Sequence, residues 1–137
     1  MRNLMALVLL TLLAVGILST STLAQQSNEA KVDTSSTQTE RICGWFENPT
    51  PANAWLTDRH GEWIIGLQGG YQAEGSWPEF DEDEWVRTNI HYGYGCACLD
   101  TRLNKTEHLV VHIFGAMAQP LNICRRDKAI VDLEPAV

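Results

Sequence analysis

The chain has 137 residues, with 17 acidic side chains against 10 basic ones and a formal net charge of −7. That length allows one small domain. The charge balance excludes a phosphate-backbone binder and an anionic membrane surface as partner, because nothing gathers enough Lys and Arg to displace counterions.

Met1-Arg2-Asn3 reads as a short positive segment, and Leu4 to Leu18 is an apolar run of 15 residues. Ser19 to Thr22 is polar, and the small residues Thr22 and Ala24 fit a signal-peptidase site between Ala24 and Gln25. A spanning helix wants roughly 20 apolar residues, so residues 1–24 read as a signal peptide rather than an anchor, with no membrane span after cleavage. The expected localisation is exported, periplasmic or secreted. Gln25 to Glu40 has no aromatic residue and only Ala30 and Val32 as apolar side chains, which makes 25–40 a disordered linker. The folded unit is expected over 41–137, close to the size at which covalent staples become useful.

Inside that unit the apolar pattern is mostly of period two, which predicts an all-β or β-rich α+β domain, small and disulfide-stapled. Asn53 to Asp58 and Glu62 to Gln68 read as strands around a turn at Arg59-His60-Gly61. Ser76-Trp77-Pro78-Glu79 has capping-box spacing, and the acids from Glu79 to Glu84 suit a helix start, so a short helix is expected near 77–84. Trp85 to Leu99 reads as one extended stretch. Its even positions, through Tyr92, Tyr94, Cys96 and Cys98, form the face to bury. Its odd positions place Trp85, Arg87, Asn89 and His91 beside Gly93, Gly95 and Ala97 on the other face. That strip is either covered by another aromatic ring or is a shallow binding site, and these four residues are the candidate binding residues. Cys96 to Leu103, a turn at Asn104-Lys105-Thr106 and Leu109 to Phe114 complete the expected strands.

Cys43, Cys96, Cys98 and Cys124 in an exported domain predict two disulfides. Cys96 and Cys98 on one strand have Cα atoms about 6.6 Å apart, near the limit for a bridge, so each should pair with one of Cys43 and Cys124. Which pairs with which stays open. No metal is expected. Cys-x-Cys lacks the spacing of a structural zinc pair, and His108 and His112 on a strand lie about 13 Å apart. No cofactor is expected either.

Three blocks carry a resemblance: Cys43-Gly44-Trp45-Phe46-Glu47-Asn48-Pro49-Thr50-Pro51-Ala52-Asn53 with Trp55-Leu56-Thr57-Asp58, then Tyr92-Gly93-Tyr94-Gly95-Cys96-Ala97-Cys98-Leu99, then Pro120-Leu121 with Cys124-Arg125. They resemble domain-of-unknown-function family 4087, a family of exported bacterial proteins, from Arg41 to about Leu133. In the family pattern an arginine directly precedes the first cysteine, whereas Ile42 intervenes here. The resemblance implies export and cysteine content and brings no catalytic residue.

Enzyme signatures are weak. No G-x-S-x-G or H-E-x-x-H occurs, and four paired cysteines leave no thiolate. No catalytic residue is assigned. The expected function is a small periplasmic or secreted binding or inhibitor-like module, with an envelope protein or glycan as partner. The alternatives are a small envelope hydrolase using Asp58, His60 and Glu62 or His91, and a structural envelope protein.

Overall fold

The computed structural model describes residues 38–136. The expected signal peptide and the linker as far as Thr37 lie outside the described residues. Six strands are present: β1 (Glu40–Thr50), β2 (Asn53–Asp58), β3 (Gly61–Gly66), β4 (Trp85–Asn89), β5 (Tyr92–Asn104) and β6 (Leu109–Gln119). A short helix, α1 (Leu121–Arg126), and a 3-10 turn over Val131–Leu133 follow.

The strand order is β1-β2-β3-β6-β5-β4, and β1 also pairs with β5. Strands β1-β2-β3-β6-β5 therefore close on themselves. All their pairings are antiparallel except β3 with β6. This is the connectivity of a five-stranded Greek-key barrel of the oligonucleotide/oligosaccharide-binding type, with β4 added in the crossover after β3. The parallel seam is narrow: Ile64 is opposite Leu109, and the Ile64 N–H donates to the His108 carbonyl at 2.9 Å. Above it the segment 71–75 threads between the two strands. Ala73 N–H donates to Ile65 on one side, while Glu74 N–H donates to Val111 on the other.

Alternation then sorts the side chains. Ile42 and Phe46 of β1, Leu56 of β2, Trp63 and Ile65 of β3, Leu99 and Leu103 of β5, and Val110 and Ile113 of β6 fill the barrel. Outside it a second core forms where the C-terminal segment folds back: Trp45, Tyr94 and Cys96 meet Cys124 and Ile130. The Trp45 indole N–H donates to the Ile130 carbonyl at 2.9 Å, so this cover is hydrogen-bonded as well as apolar.

The disulfides are Cys43–Cys98 and Cys96–Cys124. The first ties β1 to β5 at a register pair, and the second ties β5 to α1. Both cysteines of β5 point out of the barrel. One serves the sheet and the other holds the C-terminal cover.

Three expectations need correcting. No helix forms near 77–84; those residues form no regular element before a turn at 82–84. Five acids in six positions would stack like charges at helical spacing, whereas the irregular chain lets Trp77 and Phe80 both reach Phe46, at ring separations of 5.9 and 5.8 Å. Aromatic burial overrides the capping box. The helix that does form is α1, immediately after Pro120, with Arg125 and Arg126 in its last turn, where cations suit the helix dipole. Finally, Trp85 to Leu99 is not one strand but a hairpin, β4 and β5, turning at Ile90-His91.

Candidate functional site

The hairpin keeps the expected parity for Trp85, opposite Gly95, and for Arg87, opposite Gly93, but a register shift after Arg87 puts Asn89 opposite Tyr92 of the other expected face. The glycine strip is nevertheless closed. A Cβ at Gly95 would collide with the Phe80 ring, so that ring sits directly on the glycine. Trp85 is half-buried, with its ring 4.8 Å from Phe80 and 6.4 Å from Phe46, and its indole N–H donates to the His91 carbonyl at 3.3 Å. Arg87 is exposed and lies 3.7 Å from Glu82. Asn89 and His91 are exposed at the turn, on either side of Ile90. The four residues stay within one hairpin, but they do not line an open face.

The expected acid–base group is also split. Asp58, only 5% exposed, accepts the His60 backbone N–H at 2.7 Å and so shapes the β2–β3 turn. Glu62 is one residue out of phase with Trp63 and lies on the outer face, opposite Thr57. It sits beside Glu47, whose carboxyl is pushed up mainly by burial and further by the Glu62 charge, against the lowering effect of the Trp55 indole N–H. His91 lies in the other hairpin. Asp58 and His60 line one cleft at the end of the barrel, whereas Glu62 and His91 lie elsewhere.

What the fold does bring together is one end of the barrel. The start of β1, the β2–β3 turn and the β5–β6 turn surround a cleft of about 540 Å³, and Asp127 closes it from beyond α1. The volume falls in the range of small-molecule sites, and a barrel mouth is a common place for one. Its floor contains Ile42, Leu103, the Cys43 end of a disulfide and Trp63. Its rim carries charge in pairs. Lys105 meets Glu40 at 2.7 Å, and Arg59 meets Asp127 at 3.3 Å. Arg41 makes a two-bond pair with Asp100, at 2.7 and 2.8 Å, which holds the Asp100 carboxyl below the usual carboxylate range.

Two features of the mouth are unusual. His108, at the end of the β5–β6 turn, has a positive φ of 54°, an uncommon conformation outside glycine. Its carbonyl is held by Ile64, and its exposed imidazole stacks on Trp63 with ring centroids 5.0 Å apart. Trp63 is 5% exposed, and its indole Nε1 is buried with no hydrogen-bond partner. A buried unpaired N–H costs about 1–3 kcal/mol, and each one in a native structure calls for an explanation.

In the sequence Trp63 is one of five tryptophans that fall between Cys43 and Cys98 and sits in a strand pattern, and His108 stands out only beside His112. In the structure His112 pairs instead with Glu74 at 2.9 Å. Arg41, Lys105 and Asp127 carried no signal of their own. They meet only because the barrel closes, and strand order is not visible in local periodicity. Among the described residues no group of three or more His, Cys, Asp and Glu side chains could hold a metal ion. None of the helices described is long and apolar enough to cross a membrane.

Comparison with known proteins gives one match. Residues 37–131 match the family described as Protein of unknown function (DUF4087). No curated protein and no solved structure matches the chain.

Proposed function

The chain belongs to the DUF4087 family, and we propose that it is a small exported module that binds a ligand in its barrel mouth. The observation that carries this reading is the cleft of about 540 Å³, walled by two turns and the first strand. Export is supported by the leader-like amino terminus and by two disulfides, which suit an oxidising compartment. Of the expected acid–base group only Asp58 and His60 line this cleft, while Glu62 and His91 lie outside it, which favours binding over hydrolysis.

The test uses the mature protein equilibrated with the small-molecule fraction of a cell-envelope extract, then desalted and analysed by mass spectrometry. A compound retained by the wild type and lost from His60→Trp, which fills the rim at an exposed position, is the expected result. Retention unchanged in a well-folded His60→Trp protein rejects the mouth as the site.

A second, inhibitor-like reading has its own observation. Ile90, at the tip of the β4–β5 hairpin, is 76% exposed and has a φ of 55°. A β-branched residue at positive φ is a genuine outlier, and such strain concentrates at contact sites. With Arg87, Asn89 and His91 around it, the tip suits an apolar pocket on a partner protein.

A further inference from the structure

We propose that the barrel mouth is an oxyanion receptor, taking a small organic acid or phosphate ester whose oxygen is received by the Trp63 indole N–H. The proposal rests on the reading of the mouth as a ligand site and names the chemistry of what enters it.

The argument is an inventory of donors and acceptors. Each acidic group of the mouth already holds at least one donor. Glu40 holds Lys105, Asp58 holds the His60 N–H, and Asp127 holds both Arg59 and the Ala129 N–H. The donors are not exhausted. Lys105 has three N–H groups and Arg59 five, and in each case the described bonds use one. The indole N–H of Trp63 uses none. Two of the chain's four histidines, His60 and His108, add imidazole nitrogens at the same place. In a protein of net charge −7, spare donors of two cations and an indole meet here, beside three carboxylates that each hold a donor already.

A ligand that leaves the indole N–H satisfied must bring an acceptor, and one that also matches Lys105 and Arg59 must bring several on one centre. Carboxylate and phosphate meet both conditions, and charge-assisted bonds from Lys and Arg are stronger than neutral ones. A neutral amide offers a single carbonyl oxygen and brings no charge to meet Lys105 or Arg59. The floor of Ile42 and Leu103 sets the other half of the ligand, because a bare ion would leave that apolar surface wet. An organic body attached to the anion fits.

His108 stacks on the face of the indole, makes no side-chain hydrogen bond among the described residues, and has its backbone anchored to Ile64.

The experiment is a two-dimensional ¹H–¹⁵N titration of the folded, oxidised protein with phenyl phosphate, phenylacetate and phenylacetamide. The Trp63 indole cross-peak is identified by its loss in Trp63→Phe. The expected result is a saturable downfield shift of that cross-peak with one or both anions and none with the amide. Whichever anion binds more tightly tells phosphate ester from carboxylate. Binding should weaken at least tenfold in Trp63→Phe and in Lys105→Ala, with Trp63→Phe melting no lower than wild type, since the substitution removes an unpaired donor. An equal shift with phenylacetamide overturns the oxyanion proposal and leaves the ligand site standing. Anion shifts confined to Lys105 and Arg59 overturn it as well. No shift at any residue of the mouth with any of the three probes removes the proposal and the ligand site together.

Discussion

At the scale of single residues, the strain at Ile90 and the carboxylate of Glu134 each make a checkable statement. The left-handed conformation costs about 1–2 kcal/mol outside glycine, part of which glycine returns through its unfolded-state entropy. Ile90→Gly should therefore raise stability by about 1 kcal/mol, read from the denaturant midpoint. A lowered midpoint would mean that the isoleucine packs in a way its exposure does not suggest. Glu134 accepts from Arg125 at 2.7 Å and from the Tyr94 hydroxyl at 3.1 Å. Arg125 first, and Tyr94 after it, hold the Glu134 carboxyl below its ordinary range. A depressed carboxyl contributes stability above its unfolded pKa and loses it as pH falls through the folded one. Glu134→Gln should cost about 0.5–1 kcal/mol at pH 7, and the gap from wild type should close on acidification below about pH 4. A gap that persists at pH 3 would show that the carboxylate's charge is not what ties down the C-terminal segment.

At the scale of elements, the two bridges have separate tasks. In the chain-entropy view, Cys96–Cys124 closes 28 residues and contributes about 3.5 kcal/mol, and Cys43–Cys98 closes 55 and contributes about 4 kcal/mol. Cys96→Ala with Cys124→Ala should lower stability by about that first amount and release hydrogen-exchange protection in α1 and at Ile130, while β5 and β6 stay protected. Equal loss in both regions would mean that the barrel needs its cover to form. The legible elements were those whose own pattern suffices: β2, β3 and the start of β6 stand where alternation and branched residues put them. Their turns at Arg59-His60 and after Asn104 are where polar residues break the run. The less legible elements depended on distant partners. Residues 48–50 of β1 stay extended through Pro49, at a bulge where a missing N–H is tolerated. The stretch around Trp77 is pinned by Phe46, and six-residue α1 has too few turns to show a period, although Pro120 before it was a usable signal. The candidate site was the least legible part. Trp63 looks like any core tryptophan until the barrel shows that it stands at an open end.

At the scale of the whole molecule, the acidic charge, the two bridges and the leader-like start belong together. Residues 1–24 contain one charged side chain, so removing them leaves 17 acids against 9 bases in the mature chain. The protein isolated from its native host should have an intact mass corresponding to a start at Gln25 with both bridges closed. A mass that includes Met1 to Ala24 would show that the leader is retained. The fold itself does not choose a ligand, since barrels of this connectivity serve many functions. The mouth is where three charge pairs and the unpaired indole meet.

The two bridges differ in depth as well as in position. Cys96 and Cys124 are 1% and 2% exposed, whereas Cys43 is exposed and contributes to the floor of the mouth. A reductant therefore meets the outer bond first, and the inner one outlasts it. The first casualty of a reducing environment would be the bond that ties β1 to β5 beside the cleft, while the C-terminal segment stays fastened to the barrel.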